Sequence, residues 1–326
     1  MAVKSYGFAI GNLRARENSL LKQSDLAQLL SAQNTEEFAK LLKDKGIGAG
    51  STSEDALELI KSHTKQLWQY LEDIAPDMSV FEPFIYENDF HNLKAILKSV
   101  LKASSFEHLL IVPAIVDVSK IEAAIKNKQF DLLPEFMSSA AKDAYEILSQ
   151  TGDAQLADGI IDAACMESQL KKAQESKQKI CIEIIKITVF YSNIKVALRA
   201  ARANKNAEFL NSTLTETTVL PKKELINAAL SSEEKVLELL SKAYELSGEK
   251  AAEEYKKSAW RLEKFADDLI IKKVLRLKNI TMGIEPLIGY MCARKTELQN
   301  LRIIYSGVKT GQATEKTKER LRELYG

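Results

Sequence analysis

Proline is scarce in this sequence, at 6 of 326 residues, and glycine, at 13, is not much commoner. Sandwiches and barrels need turn residues at short, regular intervals, and collagenous or low-complexity chains need far more of both, so these classes are excluded. The three cysteines, Cys165, Cys181 and Cys292, are widely spaced and form no CxxC. That excludes a disulfide framework and a structural zinc site, and it suits reduced thiols. The longest apolar run, LLIVPAIV at 109–116, falls far short of the roughly 20 residues that span a bilayer, and Pro113 interrupts it. The opening MAVKSYGFAIGNLRAR has neither the apolar core nor the small-residue cleavage site of a signal peptide. Charge of one sign is missing too. The formal net charge is +1, so no global field draws the chain onto nucleic acid or an anionic membrane.

What is present favours helix. Leu, Ala, Lys and Glu dominate, and hydrophobic residues make up 45% against 28% charged, a globular balance with few strand candidates. Cap signals are dense. Asn34 with Glu37 opens NTEEFAKLLKDKG and Gly46 stops it; Ser51 with Glu54 and Ser231 with Glu234 repeat the pattern, Gly248 closing the latter. Thr314 caps a short final helix, and Glu249 to Asn279 reads as one long helical stretch. The expected class is all-α.

One helical phrase recurs. FHNLKAILKS at 90–99 shares an Asn–aliphatic–basic core with GNLRAR at Asn12, YSNIKVALRA at Asn193 and LQNLRIIYSG at Asn300. Phe90, Leu93, Leu97 and Val100 fall on one helical face, as do Phe190, Ile194, Ala197 and Ala201, with the Asn at the stripe's edge. A second echo follows: SDLAQLL at 24–30, SKIEAAI at 119–125 and ELINAAL at 224–230, each leading to a leucine pair. Asn92 and Asn193 are 101 residues apart, and Asn193 and Asn300 are 107 apart, a period far longer than the roughly 20–50 residues of a solenoid. The expectation is three related helical units, 1–105, 106–210 and 211–326.

Four stretches carry a family likeness: YGFAIGNLRARENSLL, ENDFHNLKAILKS, FYSNIKVALRAAR and EPLIGYMCARKTELQNLRIIYSGVKTG. With them the chain resembles the central-stalk C subunit of V/A-type rotary ATPases, related to the d subunit of vacuolar ATPases. The resemblance implies three similar helical domains in a pseudo-threefold funnel and no catalytic residues. It implies two partners, the central stalk shaft and the ring of membrane proteolipids, and a peripheral place on the cytoplasmic side of the membrane. The family often has an Arg-rich stretch where this chain has Lys94 and Lys98.

The residues themselves offer little chemistry. GIGAGSTSED at 46–55 has glycines ahead of a helix but no following Lys and no preceding strand, so it reads as a loop rather than a phosphate cradle. His63, His91 and His108 are isolated, and acidic pairs such as Glu233–Glu234 point about 100° apart on a helix. No catalytic, cofactor or metal residue is expected. The candidate partner contacts are Arg14, Arg16, Lys195, Arg199, Arg202 and Arg302, which face either acidic partner subunits or acidic helices of the same chain. Aromatics are not interleaved with them as nucleic-acid binding would require. The four Asn residues are expected to fix register through hydrogen bonds. The leading function is a rotor adaptor; the alternative is an all-helical soluble scaffold for another protein.

Overall fold

The computed structural model describes residues 5–326; the first four residues of MAVKSYGFAIGNLRAR lie outside the described residues. The described chain is all helical, with no strand. It begins α1 (Tyr6–Glu17), α2 (Gln23–Leu30), α3 (Thr35–Asp44) and α4 (Ala56–Ile74). Then come α5 (Glu82–Leu101), α6 (Val118–Asn127), α7 (Glu135–Thr151), α8 (Ala154–Ser176) and α9 (Lys179–Arg202). Shorter helices follow: α10 (Ala207–Thr213), α11 (Lys222–Ser231), α12 (Glu233–Ser241) and α13 (Gly248–Lys257). The last are α14 (Ala259–Val274), α15 (Glu285–Thr310) and α16 (Thr314–Glu319). Two compact units result: Ser79–Glu253 form one, and the residues up to Met78 together with Glu254–Gly326 form the other.

Local chemistry sets the helix starts and corrects several expected ones. Asn34 caps α3 by accepting from the Glu37 amide at 2.8 Å, as its position predicts. Ser51 does not start α4. Ser51 and Ser53 instead accept from the amides of Ser53 and Asp55 in successive turns, and Asp55 caps the helix at the Glu58 amide, 2.9 Å away. The cap of α12 is Ser232 rather than Ser231, because Ser232 is the extended residue that separates α11 from α12. Gly248 does not close α12, which stops at Ser241; it opens α13, where a Cβ would lie 1.9 Å from the Leu240 carbonyl oxygen. Extended backbone at Ser258 breaks the expected stretch 249–279 into α13, α14 and a 3-10 turn. Thr314 is the first residue of α16, and Ala313 holds its cap position. Pro83 and Pro286 sit in the first turns of α5 and α15, where a missing N–H costs nothing.

In the unit Ser79–Glu253, α7 and α8 form a helical hairpin whose turn puts Gly152 in the left-handed region, at φ 72°. Against them α5 packs its stripe, with Phe90, Leu93, Ile96 and Leu97 buried beside Ile121, Met137, Ala141 and Ile161. Tyr86 stacks on Phe136 at 4.5 Å between ring centroids. The next long helix, α9, packs on α8, α11 and α12. In the other unit α15 is central and packs on α1, α3, α4 and α14. The helices bearing Asn92, Asn193 and Asn300 are therefore enclosed on most sides. All three Asn residues are buried at the edge of their stripes, because neighbours cover that edge as well.

Candidate functional site

Each of those three asparagines makes the same arrangement. Asn92 Nδ2 donates to the Ile111 carbonyl at 3.0 Å and its Oδ1 accepts from the Ile111 amide at 2.8 Å. Asn193 makes the same pair with Thr215, at 2.6 and 3.1 Å. Asn300 makes it with Arg322, at 3.1 and 2.8 Å. A carboxamide is the side chain that both donates and accepts in one plane, so it can take a strand's place and satisfy a residue's N–H and C=O together. Asn12 is different: it is exposed, and its Nδ2 donates only to the Phe8 carbonyl one turn back. The recurring phrase thus marks three clamps and one surface look-alike.

One turn before two of these clamps lies a buried acid. Asp89 Oδ1 accepts from the amides of Ile115 and Val116, both at 2.8 Å, while its Oδ2 is buried with no hydrogen-bond partner. Burial pushes the carboxyl up to about 6, against the two amide bonds that pull it down. Asn88 donates to the Pro113 carbonyl at 2.8 Å, and the His91 ring lies 3.0 Å from the Leu109 carbonyl. Four neighbouring side chains of α5 therefore pin the backbone of 109–116, although Leu109, Val112 and Ile115 remain exposed. Glu297 precedes Asn300 by the same three residues and accepts from the Leu21 amide at 2.6 Å.

Glu297 also pairs with Arg294 at 2.7 Å, both side chains being 4% exposed. The Arg294 guanidinium bonds the Tyr290 hydroxyl at 2.9 Å and the Ser19 hydroxyl as well. Burial raises the Glu297 carboxyl, and Arg294 pulls it the other way. His63, on α4, is pushed down to about 4 by burial and then by the Arg294 charge, so this imidazole stays neutral. Tyr70 on the same helix is pushed up to about 12, chiefly by burial. Sequence reasoning passed over Asp89, Arg294 and Glu297. The available signal was an acid three positions before a clamp Asn, seen twice, at Asp89 and Glu297.

The candidate contact residues divide between the two units, with Arg14, Arg16 and Arg302 in one and Lys195, Arg199 and Arg202 in the other. Arg14 grips Glu17 with one nitrogen at 2.8 and 2.7 Å and gives the other to the Ile280 carbonyl at 2.7 Å, which is an internal tie. Arg16 is exposed, 5.2 Å above the Tyr70 ring. Arg302, also exposed, reaches Thr64 at 3.4 Å. Lys195, Arg199 and Arg202 do share a face of α9, at i, i+4 and i+7. Arg202 is bidentate on Glu233 at 3.0 and 2.7 Å, at the first position of α12. Lys195 is half-buried and Arg199 exposed. Lys94 and Lys98 of the first clamp helix pair with Asp162 and Asp158 of α8, the second at 2.6 Å. Lysine serves there as a point charge where a fork is not needed.

Among the described residues no group of three or more His, Cys, Asp or Glu is placed to hold a metal, and no helix is long and apolar enough to cross a membrane. In the glycine-rich segment, Gly46, Gly48 and Gly50 have φ between 74° and 81°, and a Cβ on Gly48 would lie 2.8 Å from Leu59. These glycines turn the chain and admit α4 closely. Cys165, Cys181 and Cys292 are buried thiols outside any disulfide. Among the described residues, the buried Asn92, Asn193, Asn300, Asp89 and Glu297 hold backbone groups.

A family profile described as ATP synthase (C/AC39) subunit matches residues 9–320. The chain is 21% identical over 318 residues to the C subunit of the V-type sodium ATPase of Enterococcus hirae, covering 96% of this chain and 97% of that one. It is 24% identical over 338 residues to the C subunit of the A-type ATP synthase of Methanocaldococcus jannaschii, covering 93% and 82%. With the C subunit of the A-type ATP synthase of Pyrococcus horikoshii the identity is 21% over 341 residues, covering 98% and 90%.

Proposed function

The chain belongs to the ATP synthase (C/AC39) subunit family, and on that premise we propose that it is the non-catalytic rotor adaptor of a V/A-type ATPase. In this reading it joins the central stalk shaft to the membrane proteolipid ring on the cytoplasmic side and so couples ATP turnover to ion transport. It acts mechanically, as three related helical units, 1–105, 106–210 and 211–326, set around an axis as a funnel. The observation that carries the reading is the thrice-repeated Asn clamp. Each clamp ties a long helix to the segment that follows it, so load on one element passes to the next without bending a loop.

Two surface features support a division of contacts. The exposed apolar side chains Leu109, Val112 and Ile115 stand on a pinned backbone, which suits an apolar ring whose subunit number need not match three repeats. The basic face of α9, with Lys195, Arg199 and Arg202, suits an acidic shaft tip, with Arg14, Arg16 and Arg302 as further contacts. Deleting this chain from the assembled enzyme tests the adaptor reading. ATP hydrolysis by the catalytic heads should continue while ion movement stops. Ion pumping that stays coupled without the chain would sink the proposal. Capture from solubilised membranes distinguishes the scaffold alternative, since an adaptor brings down shaft and ring subunits together.

A further inference from the structure

The three clamp passages share a register that continues beyond the clamps. From Ile111 the first helix of the next passage, α6, begins seven residues on at Val118; from Thr215, α11 begins seven residues on at Lys222. In both, the residue five positions past the clamped one is a buried aliphatic, Val116 or Leu220. In the first passage that residue's amide is the one received by the buried acid Asp89.

The third passage reproduces this order with two segments instead of one. Arg322 is clamped by Asn300 and followed by Glu323, Leu324, Tyr325 and Gly326. The next slot, that of Val116, is filled by Leu21, which is buried and gives its amide to Glu297, 276 residues away in sequence. Two residues later α2 begins at Gln23, as α6 begins two residues after Val116. Gly326 lies directly against this slot: a Cβ there would sit 3.1 Å from the Leu21 carbonyl oxygen. Arg294 holds the neighbouring Ser19 hydroxyl and Glu297 itself, while α14 secures the other segment. Asp268 accepts from the Glu323 amide at 2.7 Å and Asp267 from Arg322 Nε at 2.8 Å.

We propose that Ser19–Lys22 and Leu321–Gly326 form a split joint on α15, standing where the first passage runs as the continuous segment Ile111–Asp117, and that the two segments engage and release α15 together as one latch. The coupling follows from the geometry. Glu297 and Asn300 lie on adjacent turns, so each grips one segment, and the segments touch at Leu21 and Gly326. Loss of either grip removes a wall from the other. Short segments held by side-chain bonds rather than by long helices belong to the class that opens below global unfolding. The latch does not depend on the adaptor reading.

Native-state hydrogen exchange on the full chain, read by mass spectrometry with fragmentation, tests it. In the wild type, the amides of Leu21 and Arg322 should show equal protection and the same dependence on low denaturant. Asn300→Ala removes the acceptor of the Arg322 amide directly, and the Leu21 amide, whose bond to Glu297 is untouched, should also exchange at least about tenfold faster while the Ile111 and Thr215 amides keep their rates. Acceleration confined to Arg322 would overturn the joint. Should Asn300→Ala not fold, the wild-type measurement decides alone: two different opening curves for Leu21 and Arg322 would show that the segments move independently.

Discussion

Asn193 and Thr215 exchange two hydrogen bonds across 22 residues of sequence, the carboxamide giving one proton to the Thr215 carbonyl and receiving one from its amide. Replacing this Asn by Ala leaves the N–H and the C=O of the buried Thr215 without these partners. Asn92→Ala, Asn193→Ala and Asn300→Ala should each cost about 2–4 kcal/mol in chemical denaturation, a large part of a typical folding free energy. Asn12→Ala should stay within about 0.5 kcal/mol, since its single bond is exposed and local. Equal small effects at all four positions would refute the clamp.

The Asp89 carboxyl titrates at about 6, against an ordinary value of 3.8. The folded state thus binds the proton more tightly than the unfolded state. Its contribution is fully present below about 4 and is lost as pH rises to about 6. Asp89→Asn keeps an oxygen for the Ile115 and Val116 amides and removes the charge. Relative to wild type, the variant should gain on the order of 2–3 kcal/mol between pH 4 and pH 7. A difference that does not change with pH would show that Asp89 carries no such linkage.

Arg294 and Glu297 form a buried pair in which each member compensates the other. Arg294→Met alone should destabilise by about 3–5 kcal/mol, because it strands a carboxylate in a dry site. Adding Glu297→Gln, which keeps an oxygen for the Leu21 amide, should restore part of the loss. A double-mutant cycle should return a coupling of at least about 1 kcal/mol, and additive effects would mean that the two charges do not interact.

The helical class, the two amphipathic stripes and the second echo were legible because they depend on periodicity and propensity, which are local. SDLAQLL, SKIEAAI and ELINAAL do lie in α2, α6 and α11. The exact starts were less legible. Ser51, Ser53 and Asp55 can all cap, and only Asp55 takes the Glu58 amide, the two serines closing the turns ahead of it. The recurring Asn was visible as a repeat, but its work was not. Asn12 and Asn92 look alike in sequence and differ only in whether a distant loop returns to meet them. Arg294 and Glu297 were missed for the same reason: their partners Ser19 and Leu21 come from the far end of the sequence.

Arg199 and Arg202 separate a contact with a partner from an internal tie. Reversing both to Glu sets like charge against Glu233, an exposed pairing worth at most about 1 kcal/mol in the wild type. If α9 meets an acidic shaft tip, shaft binding should weaken, most at low salt, by much more than that stability change explains. A lowered melting point with unchanged shaft affinity would assign these arginines to internal pairing.

The three buried thiols bring an unplanned convenience. Burial raises Cys165 and Cys181, the latter to about 11, so neither offers thiolate to an alkylating reagent while its surroundings stay closed. Cys165 and Cys181 lie in the unit Ser79–Glu253, and Cys292 lies on α15 in the other. The order in which the native protein takes up a thiol label is therefore a record of which unit breathes first, written by residues already in place.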